Sequence, residues 1–564
     1  MTTTAPGGGR AVTPLVDLHG RSAWSVLPPL ILGFFMIMVD TTIVNIAIPS
    51  LTTAFGASLV AVGWVNSAYL LSYAALMLFA GRLGDRYGPK AVFVAGLVVF
   101  TVFSFLCGYS GEIGSSPEIG WLIGFRALQG VGAALMTPQT MSMITRVFPA
   151  KQRGAALGLW GATAGVATIA GPLLGGVFVE TWGWEWIFYV NIPVGVVALW
   201  MSATRLPTLR SSHAVRLDLV GVVLSVLGLG ALIFGIQEGE TYDWGHIWGP
   251  FSVWGVIGAG LVLLVAFVLW QRHLRADALL PLRLFRSRNF SLANVDGMAV
   301  TFAMIGIFFP LTIFLQSILG LSPIEAALVN LPGSLVSGVV APFAGRLSDR
   351  LPAKWVVAFG FAAIAGSVLW LSAVIAPDVS VWAFIPVMSL FGLGTGCVFS
   401  PLSNLATSGL DHRTAGAGAG AFNTFRQVGG VIGSAAVVAA LTSRLAVELP
   451  AAAQDAAASL PAQYRGAFVD GFATVGGDAA TMGAGSLKLP PGVPADVAAQ
   501  VQDAATTAFH QGFADAAAQT LLVVAAALVV GVVCAVLMRS EQHTEELGGG
   551  SPAPAAAPST ESVG

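Results

Sequence analysis

The chain has 564 residues, 55% of them hydrophobic and only 10% charged, whereas soluble domains carry about 25% charged residues. A string of soluble domains is therefore excluded, because apolar runs long enough to cross a bilayer recur along almost the whole sequence. The formal net charge of −2 says little about partners and the placement of the charges says more; the expected surroundings are the lipid bilayer, with no nucleic-acid partner.

Residues 1–25 form a polar, Gly-rich tail without a cleavage site after an apolar core, so the first span is expected to act as its own insertion signal. Fourteen spans are expected, beginning near Val26, Val62, Lys90, Gly120, Gly154, Trp186, Leu217, Gly249, Asn289, Ile324, Lys354, Val381, Ala415 and Ala518. The first holds Asp40, preceded by the apolar run Leu27–Val39. A charge near mid-bilayer costs about 2.5–3.5 kcal/mol on insertion scales. Such a residue either marks an ion, proton or substrate pathway or is a neutral acid satisfied by neighbouring helices.

The second span brings Trp64, Asn66 and Tyr69, and Asn45 lies just after Asp40; apolar and aromatic walls of this kind suit lipophilic or cationic compounds. Gly81-Arg82-Leu83-Gly84-Asp85-Arg86 follows the second span, and Gly345-Arg346-Leu347-Ser348-Asp349-Arg350 follows the tenth. With spans seven and eight set aside as an insertion, the two hexamers occupy matching places in two six-helix halves, an architecture that puts a substrate site between the halves near the midplane. The halves are expected at 26–205 and 276–540, with the inserted pair at 206–275.

Arg126 and Gln129 lie a few residues into span four. Both charges, Asp40 and Arg126, fall in the outer-to-middle part of the bilayer, where a neighbouring cation favours the ionised acid and burial the neutral one. In span five, Gly171, Gly175 and Gly176 permit close helix approach and Pro172 removes a backbone donor. Asp296, six or so residues into span nine, is the rival proton-coupling acid, and Phe302 is a candidate cavity residue on the same span. In span thirteen, Asn423 and Arg426 either stabilise the second half or touch substrate. The segment 442–517 is Ala-, Gly- and Pro-rich and reads as a long extracytoplasmic loop, a partly ordered cap or a disordered one. Residues 541–564 read as a disordered cytoplasmic tail.

Lys and Arg collect in the loops that share the side of the N-terminus, as in Arg82–Lys90, Arg146–Arg153 and Arg272–Arg288, and the short loops opposite hold none. Both termini are therefore expected in the cytoplasm. All seven histidines lie in tails or loops, which leaves acids as the proton carriers. The three cysteines, in apolar runs, read as packing residues, not a disulfide framework or metal site. No lysine follows a glycine, so no nucleotide-binding GxxxxGK[ST] loop exists, and no HExxH is present. No enzyme activity, metal or cofactor is expected.

These motifs together resemble the major facilitator superfamily, specifically its fourteen-spanner drug–proton antiporter branch. The resemblance rests on Asp40–Pro49 (DTTIVNIAIP), Gly81–Lys90 (GRLGDRYGPK), Arg126–Ala134 (RALQGVGAA), Gly171–Gly176 (GPLLGG), Trp184–Gly195 (WEWIFYVNIPVG) and Asn423–Gly433 (NTFRQVGGVIG). Glu185 departs from the pattern, standing where the family usually has a basic residue. The resemblance implies an all-α major facilitator fold and a monomer that exports a small lipophilic or cationic drug or antibiotic from a bacterial plasma membrane in exchange for protons. An exporter of an endogenous lipid or secondary metabolite, or an uncoupled facilitator, is the alternative. Asp40, Arg126 and Asp296 would couple protons. Gly81, Arg82, Asp85 and Arg86 would form a gate with the glycines of span five, Asp85 facing the start of span thirteen near Thr414.

Overall fold

The computed structural model describes residues 22–114, 118–209, 217–274, 278–280, 282–407, 415–475 and 495–539. Of the expected tails, residues 1–21 and 541–564 lie outside them, as does the loop position Thr414, while Ala23–Val26 is a 3-10 turn leading into the first helix. Thirteen helical segments among the described residues are long and apolar enough to cross a membrane. The fifth expected span is a further helix of 32 residues, α6 below. Among the described residues the one pair of strands is a short antiparallel hairpin, β1 (His246–Trp248) and β2 (Phe251–Ser252), between the two inserted helices.

The first half comprises α1 (Leu27–Ile43), α2 (Ile48–Phe55), α3 (Leu59–Tyr87), α4 (Pro89–Tyr109), α5 (Ile119–Val147), α6 (Ala150–Thr181), α7 (Trp186–Tyr189) and α8 (Asn191–Arg205). The prolines at the start of α1 stand where the first-turn N–H groups have no helical partner anyway. Three residues beyond Asp40 the α-helix gives way to a 3-10 turn, Val44–Ala47, ahead of Pro49, which cannot donate back into the helix. Between α3 and α4, Gly88 takes φ +91°, and a Cβ there would meet the Leu209 carbonyl at 2.7 Å, so the tight turn requires glycine.

The inserted pair is α9 (Leu219–Gln237) and α10 (Val253–Leu274). The second half comprises α11 (Arg288–Ile313), α12 (Pro323–Arg350), α13 (Ala353–Val374), α14 (Phe384–Thr407), α15 (Ala415–Ala456), α16 (Ala462–Val475) and α17 (Ala495–Leu537). α12 opens on a capping box, Ser322 with Glu325, which accounts for Glu325 as a helix cap. The halves meet where α3 packs on α15 and α6 on α12.

Of the segment 442–517, expected as a partly ordered cap or a disordered loop, the described residues 442–475 and 495–517 are mostly helical. At about 1.5 Å per residue, α15 and α17 each extend roughly 63 Å, against a hydrocarbon core of about 30 Å. The excess length forms a helical cap with α16, in which Leu445, Leu449, Phe468, Phe472, Phe509 and Phe513 are buried. Alanine-rich helical turns carrying a spaced Leu/Phe stripe thereby continue the main hydrophobic core into the cap.

On α6, a Cβ at Gly171 would meet the Thr42 hydroxyl, and one at Gly175 would meet Ile43, both in or beside α1. A Cβ at Gly176 would meet the backbone of Ile324 and Pro323 on α12 at 2.8 Å. The sequence GPLLGG thus fits one helix simultaneously to its own half and to the other. At Gly338 on α12 an added Cβ has open space. Alanine is intrinsically better than glycine in a helix by about 1 kcal/mol. Gly338→Ala is therefore expected to keep or raise the thermal unfolding midpoint of the purified protein, and Gly176→Ala to lower it. Equal midpoints for the two variants in differential scanning fluorimetry would contradict the close packing of α6 on α12.

Candidate functional site

Asp40 is fully buried on α1, and its two oxygens are taken by three side chains. Arg126 Nη1 of α5 donates to Oδ2 at 2.5 Å, Gln129 Nε2 to Oδ1 at 2.9 Å and Asn191 Nδ2 of α8 to Oδ1 at 3.2 Å. Arg126 and Gln129 are three residues apart on α5, so they share a helix face. Arg126, also fully buried, donates from Nε to the Val65 carbonyl of α3 at 3.1 Å and from Nη1 to Gln129 Oε1 at 2.8 Å. Its Cζ lies 4.0 Å from the Tyr69 ring centroid and 5.7 Å from that of Phe188, within cation–π range. Asn191 also donates to Ser104 Oγ at 3.0 Å, and Ser104 in turn donates to the Phe188 carbonyl. One ion pair therefore ties α1, α3, α4, α5 and α8 together.

In this arrangement Asp40 is closed to a cationic ligand, since both oxygens are engaged and the residue has no exposed surface. Tyr69 and Gln129, expected in the cavity, belong to the pair's own surroundings. Asn191, Ser104, Phe188 and the Val65 carbonyl had no assigned role in the sequence. Asn191 alone left a signal there, as an amide at the head of an apolar span, since a buried amide in a bundle needs a partner.

Asp296 is fully buried on α11 in the other half, and neither of its carboxylate oxygens has a hydrogen-bond partner among the described residues. It does not snorkel to a helix end. The structure does not bring it to the Asp40 network. An unpartnered buried carboxylate is tolerated far better as the neutral acid.

The other expected residues are distributed. Trp64 Nε1 donates to Glu238 at 2.6 Å, and Gln237 accepts from Ser67 at 2.7 Å, so these α3 residues hold the end of the inserted helix α9. Asn45 is buried in the 3-10 turn, and Asn66 is buried with Oδ1 unpartnered among the described residues. Phe302 packs on α15 at Gly433, where an added Cβ would meet its backbone at 2.7 Å. Asn423 and Arg426 are part-buried on α15.

At the end of α3, Asp85 Oδ1 accepts from Arg146 Nη2 of α5 at 2.7 Å, a pairing within its own half. Arg82 Nη2 donates to the Ala278 carbonyl ahead of the second half, and Arg86 lies over its neighbour Tyr87 at 5.3 Å. Gly84 meets the Gln139 side chain so closely that an added Cβ would overlap it, while Gly81 leaves ordinary contact distance to Pro138.

The chain matches the Major Facilitator Superfamily model over residues 30–434. It is 44% identical over 430 residues to an MFS-type transporter of Mycobacterium tuberculosis (strain ATCC 25618 / H37Rv), covering 76% of this chain and 72% of that one. It is 32% identical over 449 residues to the tetracenomycin C resistance and export protein of Streptomyces glaucescens, covering 78% and 80%. It is 35% identical over 409 residues to the cephamycin export protein CmcT of Amycolatopsis lactamdurans, covering 72% and 82%. Among solved structures it resembles a bacterial homologue of the human lysosomal transporter Spinster, with a TM-score of 0.60 over 92% of this chain and 97% of the other. At 15% identity that likeness concerns the fold alone.

The buried pair sets a stability test. Asp40→Ala leaves Arg126 as an uncompensated buried cation, at an expected cost of about 3–5 kcal/mol. Adding Arg126→Met to Asp40→Ala removes that cation and is expected to recover stability relative to the single variant. Thermal unfolding in detergent measures both; a double variant less stable than Asp40→Ala would show that the pair is not charge-coupled.

Proposed function

The chain belongs to the Major Facilitator Superfamily and is a multi-pass membrane transporter, and from that premise we propose that it exports lipophilic drug- or antibiotic-type compounds in exchange for protons. The membrane is the plasma membrane of a bacterial cell, with both termini cytoplasmic, a placement supported by the positive-inside charge pattern. Relatives named as tetracenomycin C and cephamycin export proteins support the substrate class.

The observation that carries proton coupling is the Asp40–Arg126 pair, buried and bonded across α1, α3, α5 and α8. A proton delivered to Asp40 converts the carboxylate to a neutral acid and leaves Arg126 without its counter-charge in a bundle of low dielectric. That loss is costly enough to favour a different packing of α1 against α5. Loss of the proton restores the pair and the present packing. Asp296, buried and unpartnered, is a second acid that such a cycle could load. The gate reading of Gly81, Arg82, Asp85 and Arg86 is supported by the Arg82 bond to Ala278, which links the end of α3 to the approach to the second half. Gly176 supplies the matching close contact on α6, beside Gly171, Pro172 and Gly175.

A facilitator on the same fold would equilibrate its substrate with or without a proton gradient. In everted vesicles given a fluorescent lipophilic substrate, gradient-driven uptake is expected to vanish with an uncoupler and in Asp40→Asn. Substrate exchange without a gradient should persist in that variant. Full gradient-driven uptake by Asp40→Asn would sink the assignment. For the gate, Asp85→Asn is expected to lower kcat several-fold with KM unchanged, as removal of a switch contact should; an unaltered kcat would take Asp85 out of the gate.

A further inference from the structure

Arg126 and Arg426 are both carried well inside long spanning helices, and of the two only Arg126 has a counter-charge among the described residues. Arg126 spends its charge on a carboxylate, a carbonyl and an amide. Arg426 of α15 spends its charge on nothing among the described residues: its Nε is buried without a hydrogen-bond partner, and no carboxylate pairs with it. The residue is nevertheless part-exposed, so the described residues do not cover it completely. An unpaired cation within a membrane span is expensive and is kept where a pathway or a partner needs it.

The backbone that carries this guanidinium is fixed. Thr301 Oγ1 of α11 donates to the Arg426 carbonyl at 2.7 Å and to the Gly297 carbonyl at 2.5 Å, locking α15 to α11. Gly429, one turn on, lies so close to Met298 that an added Cβ would meet its backbone at 2.3–2.7 Å. The Phe399 ring of α14 lies 6.0 Å from Arg426 Cζ. On the side of the first half, Tyr73 of α3 belongs to the buried cluster that joins α3 to Val431 and Ala435 of α15. The guanidinium is thus an uncompensated cation on a firmly packed helix that also packs on α3 of the first half, with the Phe399 ring beside it.

We propose that Arg426 is the anchor for an anionic group of the transported compound, so that the substrates are lipophilic carboxylates with an apolar or aromatic body. A carboxylate matches the planar fork bidentately, and the part-exposed Phe399 ring suits the apolar body. The assignment rests on the exporter reading and narrows it. The acid that would attract a cation, Asp40, is already engaged, whereas the cation that would attract an acid is free.

Binding measured without a proton gradient separates this proposal from the coupling mechanism. The probes are 1-pyrenebutyrate, 1-pyrenebutanol and a pyrenebutyl-trimethylammonium salt, titrated against the purified full chain in nanodiscs by fluorescence. Wild type is expected to bind the carboxylate about tenfold or more tighter than the other two, the gain of a charge-assisted hydrogen-bonded pair. Arg426→Gln is expected to lose that preference and to keep its affinity for the alcohol, while Arg426→Lys keeps part of it. Binding is read at equilibrium and without a proton gradient, so failure of the coupling reading would leave this result standing. The proposal is overturned if the carboxylate shows no saturable binding, if the alcohol or the ammonium binds as tightly, or if Arg426→Gln weakens all three probes alike. Should Arg426→Gln not fold, Arg426→Lys decides: equal losses for all three probes overturn the proposal, and a loss confined to the carboxylate supports it.

Discussion

A buried ion pair in a membrane bundle is an all-or-none contact, and the Asp40–Arg126 pair organises the first half. Removing either charge leaves the other in surroundings where no water can replace it. The pair is held in place by a second ring of polar atoms: the Gln129 amide, the Asn191 amide and the Val65 carbonyl. Each comes from a different element or turn, so the geometry of the pair and the packing of α1, α3, α5 and α8 determine each other. The 3-10 turn that follows Asp40 lies in the same stretch of α1. A helix already loosened there can repack at lower cost than a continuous one.

Close approach is the second constraint, and it acts between halves. Gly176 faces the backbone of Pro323 and Ile324, while Gly171 and Gly175, on the preceding turns of α6, face α1. α6 is therefore clasped on one side by the helix that bears Asp40 and on the other by the opposing half. A shift of α1 that follows loss of the ion pair has a direct steric route to the interface. In lipid, packing of this kind is the main attraction between helices, because lipid tails are as apolar as the side chains they would replace.

Much of this was legible in the sequence because membrane segments advertise their exceptions. Asp40, Arg126, Asp296 and Arg426 stand out as charges in apolar runs, and the repeated hexamers and positive loops order the spans around them. What the sequence withheld follows from physics that is not local. Trp64 and Asn66 look alike as polar-edged residues on one helix, yet the structure gives Trp64 to Glu238 of the inserted pair and buries Asn66. Asn191 looks like one amide in a motif until α8 is placed beside α1. The 442–517 segment reads as a loop because its alanines are weakly apolar. Helix propensity and a spaced Leu/Phe stripe nevertheless carry α15 and α17 well past the length a bilayer needs.

The two halves resolve the same problem of buried charge in opposite ways. The first half matches its acid to its base and surrounds both with donors and acceptors, so its charge is balanced within the protein. The second half holds Asp296 without a hydrogen bond and Arg426 without a counter-charge. They sit on adjacent packed helices, α11 and α15, and remain unpaired with each other. Direct pairing would have satisfied both, as it does for Asp40 and Arg126. Keeping them apart is costly unless each meets something that comes from outside the fold. A proton suits an isolated acid, and an anion suits an isolated guanidinium. Under the proposed exchange mechanism, the balanced half would store the conformational switch, and the unbalanced half would have its charges completed by what the transporter carries.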